Sequence, residues 1–392
     1  MKDKKELWNY WECGITFSQT MEMYSEYLAM PGTGKSTIIS SFIEEIGLDP
    51  NKNVKYATFT GKAALVLRRK GLPATTIHKL IYDTVYETVT KKREDGSEYV
   101  YVKTTFVKKE RLENDEDIKL LIFDECSMIS EKLWDDLMTF GKKIVVLGDP
   151  GQLPPIFGTS PITKEEPDVF LTEIMRQAKD NPIIHIATLA REGKRIDYGW
   201  YGNEVYVGNK NFLPDDIITG SDIIITTLND TRDRMNYYIR EEIKHINTPL
   251  PAMGEKLICR RNNWEEALNG IPLVNGTIGT VRNSVNVAED GKSLFVDFQP
   301  EGFSTSYFDQ LECDLRLFDP KLTASERKEI TGSKTLKGNA LEFGYAITAH
   351  LSQGSQWGNV LYYYEPFGKE EFRRQLLYTG VTRAEKTLYL YL

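Results

Sequence analysis

Cysteine is scarce in this chain and follows no pattern. Cys13, Cys126, Cys259 and Cys313 stand far apart with no Cys-x-x-Cys pair, which disfavours both a zinc knuckle and an oxidised framework and fits a reducing cytoplasm. Long hydrophobic runs are missing as well. No stretch approaches the ~18 continuous apolar residues of a membrane span, and Met1-Lys2-Asp3-Lys4-Lys5-Glu6 leads into no apolar signal core, so neither a membrane nor export is expected. Nor is there a basic excess. A formal net charge of −8 argues against a protein that coats nucleic acid indiscriminately, while leaving room for a local basic groove.

What is present is a globular composition, 41% hydrophobic and 27% charged over 392 residues, enough for two or three domains. The chain is organised around Ala29-Met30-Pro31-Gly32-Thr33-Gly34-Lys35-Ser36-Thr37. Its Gly-Lys-Ser ending is that of a phosphate-binding loop. Backbone N–H groups wrap a triphosphate, Lys35 reaches its outer phosphates and Ser36 ligates Mg²⁺. Gly32 and Gly34 allow the backbone to curl around an anion, and a following helix would point its N-terminal partial charge at the phosphates. Two departures stand out. Ala29 occupies the position where glycine is usual, and Met21 to Leu28, where a buried strand is expected, is only partly apolar.

Further on, Leu120-Leu121-Ile122-Phe123 reads as a strand buried on both faces, and it ends in Asp124-Glu125. Carboxylates at the C-terminal end of such a strand face the ligand crevice, where Asp124 would hold Mg²⁺ and Glu125 would accept a proton from attacking water. A second strand, Lys143 to Gly148, leads into Asp149-Pro150-Gly151-Gln152-Leu153-Pro154-Pro155. Strand, acid and amide in a stiffened loop fit a γ-phosphate sensor at Gln152; the plain alternative is a turn. Val54 to Thr60 alternates like a strand and runs into a helical 61–67.

Residues 85–107 are rich in β-branched and aromatic side chains around Glu94-Asp95-Gly96-Ser97, which predicts a β-hairpin. Its lysines suit either protected strand edges or a nucleic-acid contact. Asp222 to Thr227 restarts the α/β pattern, with Asn229 and Asp230 as helix-cap candidates. Between Pro251 and Phe308 the texture is all-β, as in a small inserted barrel. Lys321 to Lys337 is polar, a loop or short helix, and the parent pattern resumes at Tyr345.

In this order the motifs resemble those of superfamily 1 DNA helicases of the 5′-to-3′ subclass, the RecD-like and phage Dda-like P-loop ATPases. The resemblance rests on the phosphate loop, Ala74-Thr75-Thr76-Ile77-His78, Phe123-Asp124-Glu125-Cys126-Ser127-Met128 and Gly148 to Pro155. Leu171 to Gln177, His350-Leu351-Ser352-Gln353-Gly354-Ser355 and Tyr378-Thr379-Gly380-Val381-Thr382-Arg383-Ala384 complete it. It implies an α/β fold of two RecA-like domains with ATP in the cleft between them. The first would be 1–168, with the hairpin insertion at 84–110. The second would be 169–392, with an SH3-like barrel insertion and linker at 251–333. ATP and Mg²⁺ are the implied cofactors. Pro31, Gly32, Thr33, Gly34, Lys35, Ser36, Thr37 and Gly354 would form the nucleotide set, with Ser36 and Asp124 on the metal. Lys35, Asp124, Glu125, Gln152, Arg176 and Arg383 would carry the chemistry, the two arginines reaching the γ-phosphate.

By the same resemblance Thr60, Lys62, Thr76, His78, Asn229 and His350 line the DNA path. The hairpin is the strand-separating pin, and Tyr99 and Tyr101 are its stacking aromatics. Leu351 departs from the family, which carries lysine or another polar residue there, and Gln19 lies too close to Lys35 to be assigned as an adenine reader. The implied partners are single-stranded and fork DNA, with a single-strand binding or replisome protein besides. A monomer in the cytoplasm is expected, that of a bacterial host if the protein is phage-encoded. Two other readings stay open: the same motor on RNA, and a DNA remodelling scaffold with an impaired ATPase.

Overall fold

The computed structural model describes residues 24–29, 43–69, 71–92, 98–149, 151–155, 160–162, 169–171, 181–268 and 271–392, with only the backbone course of 24–29, 69, 84, 86–92, 98–105, 169–171, 264 and 271. The phosphate loop from Pro31 to Thr37, with Lys35 and Ser36, lies outside the described residues, as do Gln19 and Arg176. So do the side chains of Tyr99 and Tyr101. The chain groups into two compact units. One is Met1–Asp83, Phe106–Ile196 and Gly368–Thr382; the other is Thr84–Thr105, Asp197–Phe367 and Arg383–Leu392.

In the first unit, β1 (Tyr24–Ala29), β2 (Val54–Thr58), β3 (Ala74–Thr76), β6 (Leu120–Asp124), β7 (Lys143–Gly148) and β8 (Val169–Leu171) form one sheet in the order β3-β2-β6-β7-β1-β8. Every pairing is parallel. The apolar run of β6 explains its place near the centre, because a strand covered on both faces has no polar side to offer. Successive side chains point to opposite faces. Leu120 and Ile122 therefore join Val54, Tyr56 and Val145 on one side, beneath Ala64 and Leu67 of α1 (Gly61–Arg69). Leu121 and Phe123 join Ala57, Ile144 and Val146 on the other, beneath α2 (Ile77–Ile81) and α3 (Glu131–Met138). Each large apolar side chain buried in this way contributes about 1.5–3 kcal/mol.

The partly apolar Tyr24–Ala29 is a full strand nonetheless, held between β7 and β8 by ladder hydrogen bonds that any side chain permits. The first domain expected from sequence ends at 168. β8 and α4 (Pro182–Glu192) lie beyond that point, yet β8 pairs with β1 and the chain as far as Ile196 groups with the first unit. So does α9 (Glu370–Val381). The hairpin strands β4 (Tyr82–Lys92) and β5 (Glu98–Lys108) pair only with each other among the described residues.

The second unit has its own six-stranded sheet. Its strands are β9 (Gly199–Tyr201), β10 (Val205–Gly208), β11 (Ile223–Thr226), β20 (Ala346–Thr348), β21 (Trp357–Tyr363) and β22 (Ala384–Tyr391), ordered β20-β11-β21-β22-β10-β9. Only β9 runs antiparallel. Three helices belong to this frame: α5 (Asp215–Gly220), α6 (Asn229–Tyr238) and α8 (Ala349–Ser352). Asn236 of α6 pins the sheet edge, since its amide donates to Ala346 O at 3.0 Å and accepts from Ala346 N at 2.9 Å.

The all-β segment is an antiparallel sheet of β12 (Lys256–Cys259), β15 (Ile278–Val281), β16 (Asn286–Val287), β17 (Ser293–Pro300), β18 (Phe308–Asp314) and β19 (Leu341–Phe343). A separate ladder joins β13 (Asn263–Leu268) to β14 (Ile271–Leu273). The path β19-β12-β15-β17-β18 returns towards its start. Cys313 bridges to Asn339, and Asn339 N donates to Glu312 O at 2.7 Å. The interior is apolar, with Leu257, Leu294, Val296, Phe298, Leu311 and Phe343 at its heart. α7 (Ala324–Gly332) carries a capping box from Thr323 and Glu326 and fills the polar 321–337 stretch.

Where this segment leaves the α/β frame, Arg240 is buried and forks onto Glu255 at 2.7 and 3.1 Å. Its guanidinium also stacks over the Phe343 ring. A buried charge needs such full pairing to be tolerated. Among the described residues no helix is long and apolar enough to cross a membrane.

Candidate functional site

In the first unit three neighbouring strands deliver polar groups at their C-terminal ends, the usual ligand side of a parallel sheet. Asp124 closes β6 half-buried, and its Oδ1 accepts from the Glu125 amide at 2.8 Å. Glu125 adopts the left-handed conformation, φ 58° and ψ 42°, before a 3-10 turn over Cys126–Met128. A glutamate held there carries backbone strain, which clusters where geometry serves function. The turn re-aims the chain immediately after the strand, so the two adjacent acids do not fall into ordinary alternation.

Asp149 directly follows β7 and is 1% exposed, and its carboxylate gathers three donors. Gly151 N donates to Oδ1 at 3.0 Å, Tyr378 of α9 donates its hydroxyl to Oδ2 at 2.7 Å, and the Gln152 amide lies 3.5 Å from Oδ2. Leu153 N donates to Thr379 Oγ1 at 3.0 Å. The contact demands a glycine at 151, since a Cβ there would fall 2.9 Å from the Tyr378 ring. Gln152 is 4% exposed, and its Oε1 has no hydrogen-bond partner among the described residues. A buried amide oxygen left unmatched costs about 1–3 kcal/mol and invites an incoming donor. Hard oxygen donors such as the Asp124 carboxylate suit Mg²⁺.

The residues expected to touch DNA fall into two sorts. Thr60 and Thr76 are helix caps: Thr60 Oγ1 accepts from Ala63 N at 3.2 Å and Thr76 Oγ1 from Lys79 N at 3.3 Å, with Thr76 only 4% exposed. Lys62 is half-buried beside the first of them. His78 instead enters an aromatic cluster with Phe59, Tyr82 and Phe106, ring centroids 5.7–6.1 Å away. The cluster lines a cleft of about 390 Å³ with Met128, Lys132 and Pro155. Burial lowers the His78 pKa and keeps the ring neutral.

In the second unit Asn229 is exposed and is the first residue of α6 rather than its cap, which is Leu228; its Oδ1 accepts from Arg232 at 3.3 Å. His350 is half-buried in α8, also with a lowered pKa from burial. Gly354 takes φ 73° just after it. Arg383 is 4% exposed and donates to Ser355 O at 3.2 Å.

Residues 16–208 match the family model of an AAA domain, and 343–391 match a UvrD-like helicase C-terminal domain. The ATP-dependent RecD2 DNA helicase of Deinococcus radiodurans is 25% identical over 92% of this chain and 45% of its own. In sequence the chain is thus similar to AAA domains and to a RecD-type DNA helicase. The chain spans less than half the length of the curated relatives it matches. A second relative, an uncharacterized protein of Methanocaldococcus jannaschii, is 24% identical over 92% of this chain and 36% of its own.

Solved Pif1 helicases share the helicase fold. That of Candida albicans aligns with TM-score 0.53 and 17% identity over 94% of this chain and 91% of its own. That of Bacteroides, solved with ADP-AlF3 and single-stranded DNA, aligns with TM-score 0.51 and 15% identity over 98% and 91%. Tyr378 and Asp149 were not legible as a pair in the sequence. The one available signal was a tyrosine inside Tyr378-Thr379-Gly380, which a buried helix position explains equally well.

Proposed function

We propose that the chain is an ATP-dependent motor that moves 5′ to 3′ on single-stranded DNA and unwinds duplexes. The observation that carries this is the pair of neighbouring strand ends of β6 and β7 in the first sheet, where Asp124 and the strained Glu125 close one and the half-satisfied Gln152 lies in the loop after the other. Lys35 and Ser36 would bind phosphate and metal, together with Pro31, Gly32, Thr33, Gly34, Thr37 and Gly354. Bound Mg²⁺ would supply charge neutralisation at the transferring phosphoryl. Asp124 would hold that ion and Glu125 would take the proton of the attacking water; Gln152 would turn its Nε2–H to the γ-phosphate, leaving its unpaired Oε1 to accept from that water. Arg176 and Arg383 add positive charge as it develops. On this reading Arg383 exchanges its Ser355 carbonyl for phosphate during the cycle.

The two compact units are read as the RecA-like domains of a monomer, with the first boundary after Ile196 in place of the expected 168. The hairpin at 84–110 is the strand-separating pin, and the returning sheet within 251–333 is an SH3-like barrel. DNA is taken as the substrate because the RecD2 and Pif1 relatives carry that activity or ligand in their names; Thr60, Lys62, Thr76, His78, Tyr99, Tyr101, Asn229 and His350 are its proposed contacts.

Phosphate release with and without single-stranded DNA or RNA, in wild type and Lys35→Ala, tests the motor. DNA is expected to stimulate hydrolysis in wild type alone. No stimulation by any polynucleotide sinks the reading, and stimulation by RNA alone replaces the substrate. Preferential unwinding of a 3′-tailed duplex would overturn the polarity.

A further inference from the structure

The hairpin strands leave and re-enter the first unit side by side, and both feet end on α3. Tyr82, which opens β4, donates its hydroxyl to Asp136 Oδ2 at 2.5 Å. Lys108, which closes β5, sets its ammonium 3.7 Å from Asp136 Oδ1 and donates to Thr139 Oγ1 at 3.0 Å. The Thr139 hydroxyl in turn donates to Asp136 O at 2.7 Å. A backbone bond from Lys109 N to Ile81 O, at 2.8 Å, draws the feet together below them. One carboxylate thus receives a side chain from each strand.

The helix that presents it is not a loose surface element. Leu133 and Leu137 root α3 in the core, 4% and 0% exposed, and the helix begins six residues after Glu125. Tyr82 and Phe106 also pack against His78, and Lys109 donates its ammonium to Lys79 O at 3.0 Å, so Asp136 adds a charged tie between the two strands to a root that ring and backbone contacts already hold. A hydrogen bond to an ionised acceptor is among the stronger side-chain ties. The lysine contact is partly exposed and contributes less.

We propose that Asp136 is a positioning residue that fixes the root of the hairpin to the helix following the hydrolytic acids, so that movement of this unit along DNA is delivered to the duplex. The inference rests on the reading of the hairpin as the strand-separating pin. It predicts a division between two activities. The ATPase does not need the clamp, whereas opening base pairs does, because a hairpin that yields at its root transmits no force.

The test uses the full chain with Asp136→Ala, Asp136→Asn, and a variant with 84–105 replaced by a short Gly/Ser link. Unwinding of a forked duplex is compared with single-stranded-DNA-stimulated hydrolysis. Asp136→Ala is expected to slow unwinding about tenfold, the scale of one charge-assisted bond lost, with hydrolysis changed less than about twofold. Asp136→Asn keeps an acceptor for Tyr82 and should recover part of the loss. In the hairpin-less variant Asp136→Ala should have no further effect. If Asp136→Ala unwinds like wild type while the hairpin-less variant does not, the clamp is refuted and the pin reading stands. A parallel fall of hydrolysis and unwinding, with a lowered melting temperature, reduces Asp136 to a structural residue and also refutes it. Normal unwinding by the hairpin-less variant removes the pin reading, and the clamp with it.

Discussion

The two parallel sheets use the same scaffold for different ends. β6 of the first reads Leu-Leu-Ile-Phe-Asp and β11 of the second Ile-Ile-Ile-Thr, each a buried run that finishes on a polar residue. In the first sheet β2 and β3 also end on threonines bound within the fold, but β6 ends on a carboxylate and β7 is followed by one, and Asp124 and Glu125 remain half-buried. In the second the corresponding ends are hydroxyls already used within the fold. Thr226 Oγ1 donates to Leu228 O at 3.2 Å, Thr227 Oγ1 accepts from Glu365 N at 3.0 Å, and Thr348 caps α8. What the second unit leaves at its surface is Asn229, exposed, and His350, half-buried. The difference teaches that the fold sets the place while the residues at each strand end set the chemistry on offer; on the proposed reading the acids of one unit serve hydrolysis and the neutral polar groups of the other hold DNA.

Glu125→Gln and His350→Ala, measured side by side, put that division at most risk. The loss of a general base should slow DNA-stimulated hydrolysis by about 10²- to 10⁴-fold, with half-saturation by single-stranded DNA nearly unchanged. His350→Ala should raise that half-saturation about tenfold, equivalent to ~1.4 kcal/mol, with the smaller change in hydrolysis at saturating DNA. Equal shifts of both constants in both variants would erase the distinction.

A smaller effect sharpens the first unit's half of the comparison. Tyr378→Phe keeps the ring over Gly151 but removes the hydroxyl from Asp149, whose carboxylate is 1% exposed. A bond to a buried charge contributes about 1.5–3 kcal/mol. The variant should therefore unfold at lower urea and hydrolyse ATP more slowly at saturating DNA, since Gln152 shares that carboxylate. An unchanged urea midpoint would show that Gly151 N and Gln152 suffice to satisfy Asp149.

Much of this was legible in the sequence. β2, β6, β7 and β11 follow from apolar runs or alternation, and the paired strands β4 and β5 from β-branched residues around an Asp-Gly. These signals are local because the periodicity of one element reports its own burial. What escaped is long-range. Asp149 and Tyr378 lie 229 residues apart, Tyr82 and Asp136 lie 54 apart, and neither pair leaves a pattern in its own neighbourhood. β1 was weak by pattern because Ser25 and Glu26 interrupt it, yet backbone ladders on both sides hold it. Asn229 was expected as a cap on residue type alone, but Leu228 has the extended φ and ψ of the N-cap, so Asn229 falls inside the helix.

The smallest effect concerns a feature that the two units share. His78 in the first and His350 in the second both have pKa values lowered by burial, so both are neutral in the folded state at neutral pH. In the unfolded chain each would titrate near 6.5. Between the lowered folded pKa and that value the unfolded state binds more protons, so stability rises with pH across the window and levels off above it. Urea midpoints from pH 5 to 8 should therefore fall on the acid side and be flat above about pH 7 as far as these groups are concerned. His78→Gln should reduce the acid slope by no more than one proton's worth, and His350→Gln should do the same independently, because the two residues sit in separate compact units. If either substitution leaves the slope untouched, that imidazole is solvated enough to titrate normally. The acid sensitivity would then belong to the other unit alone.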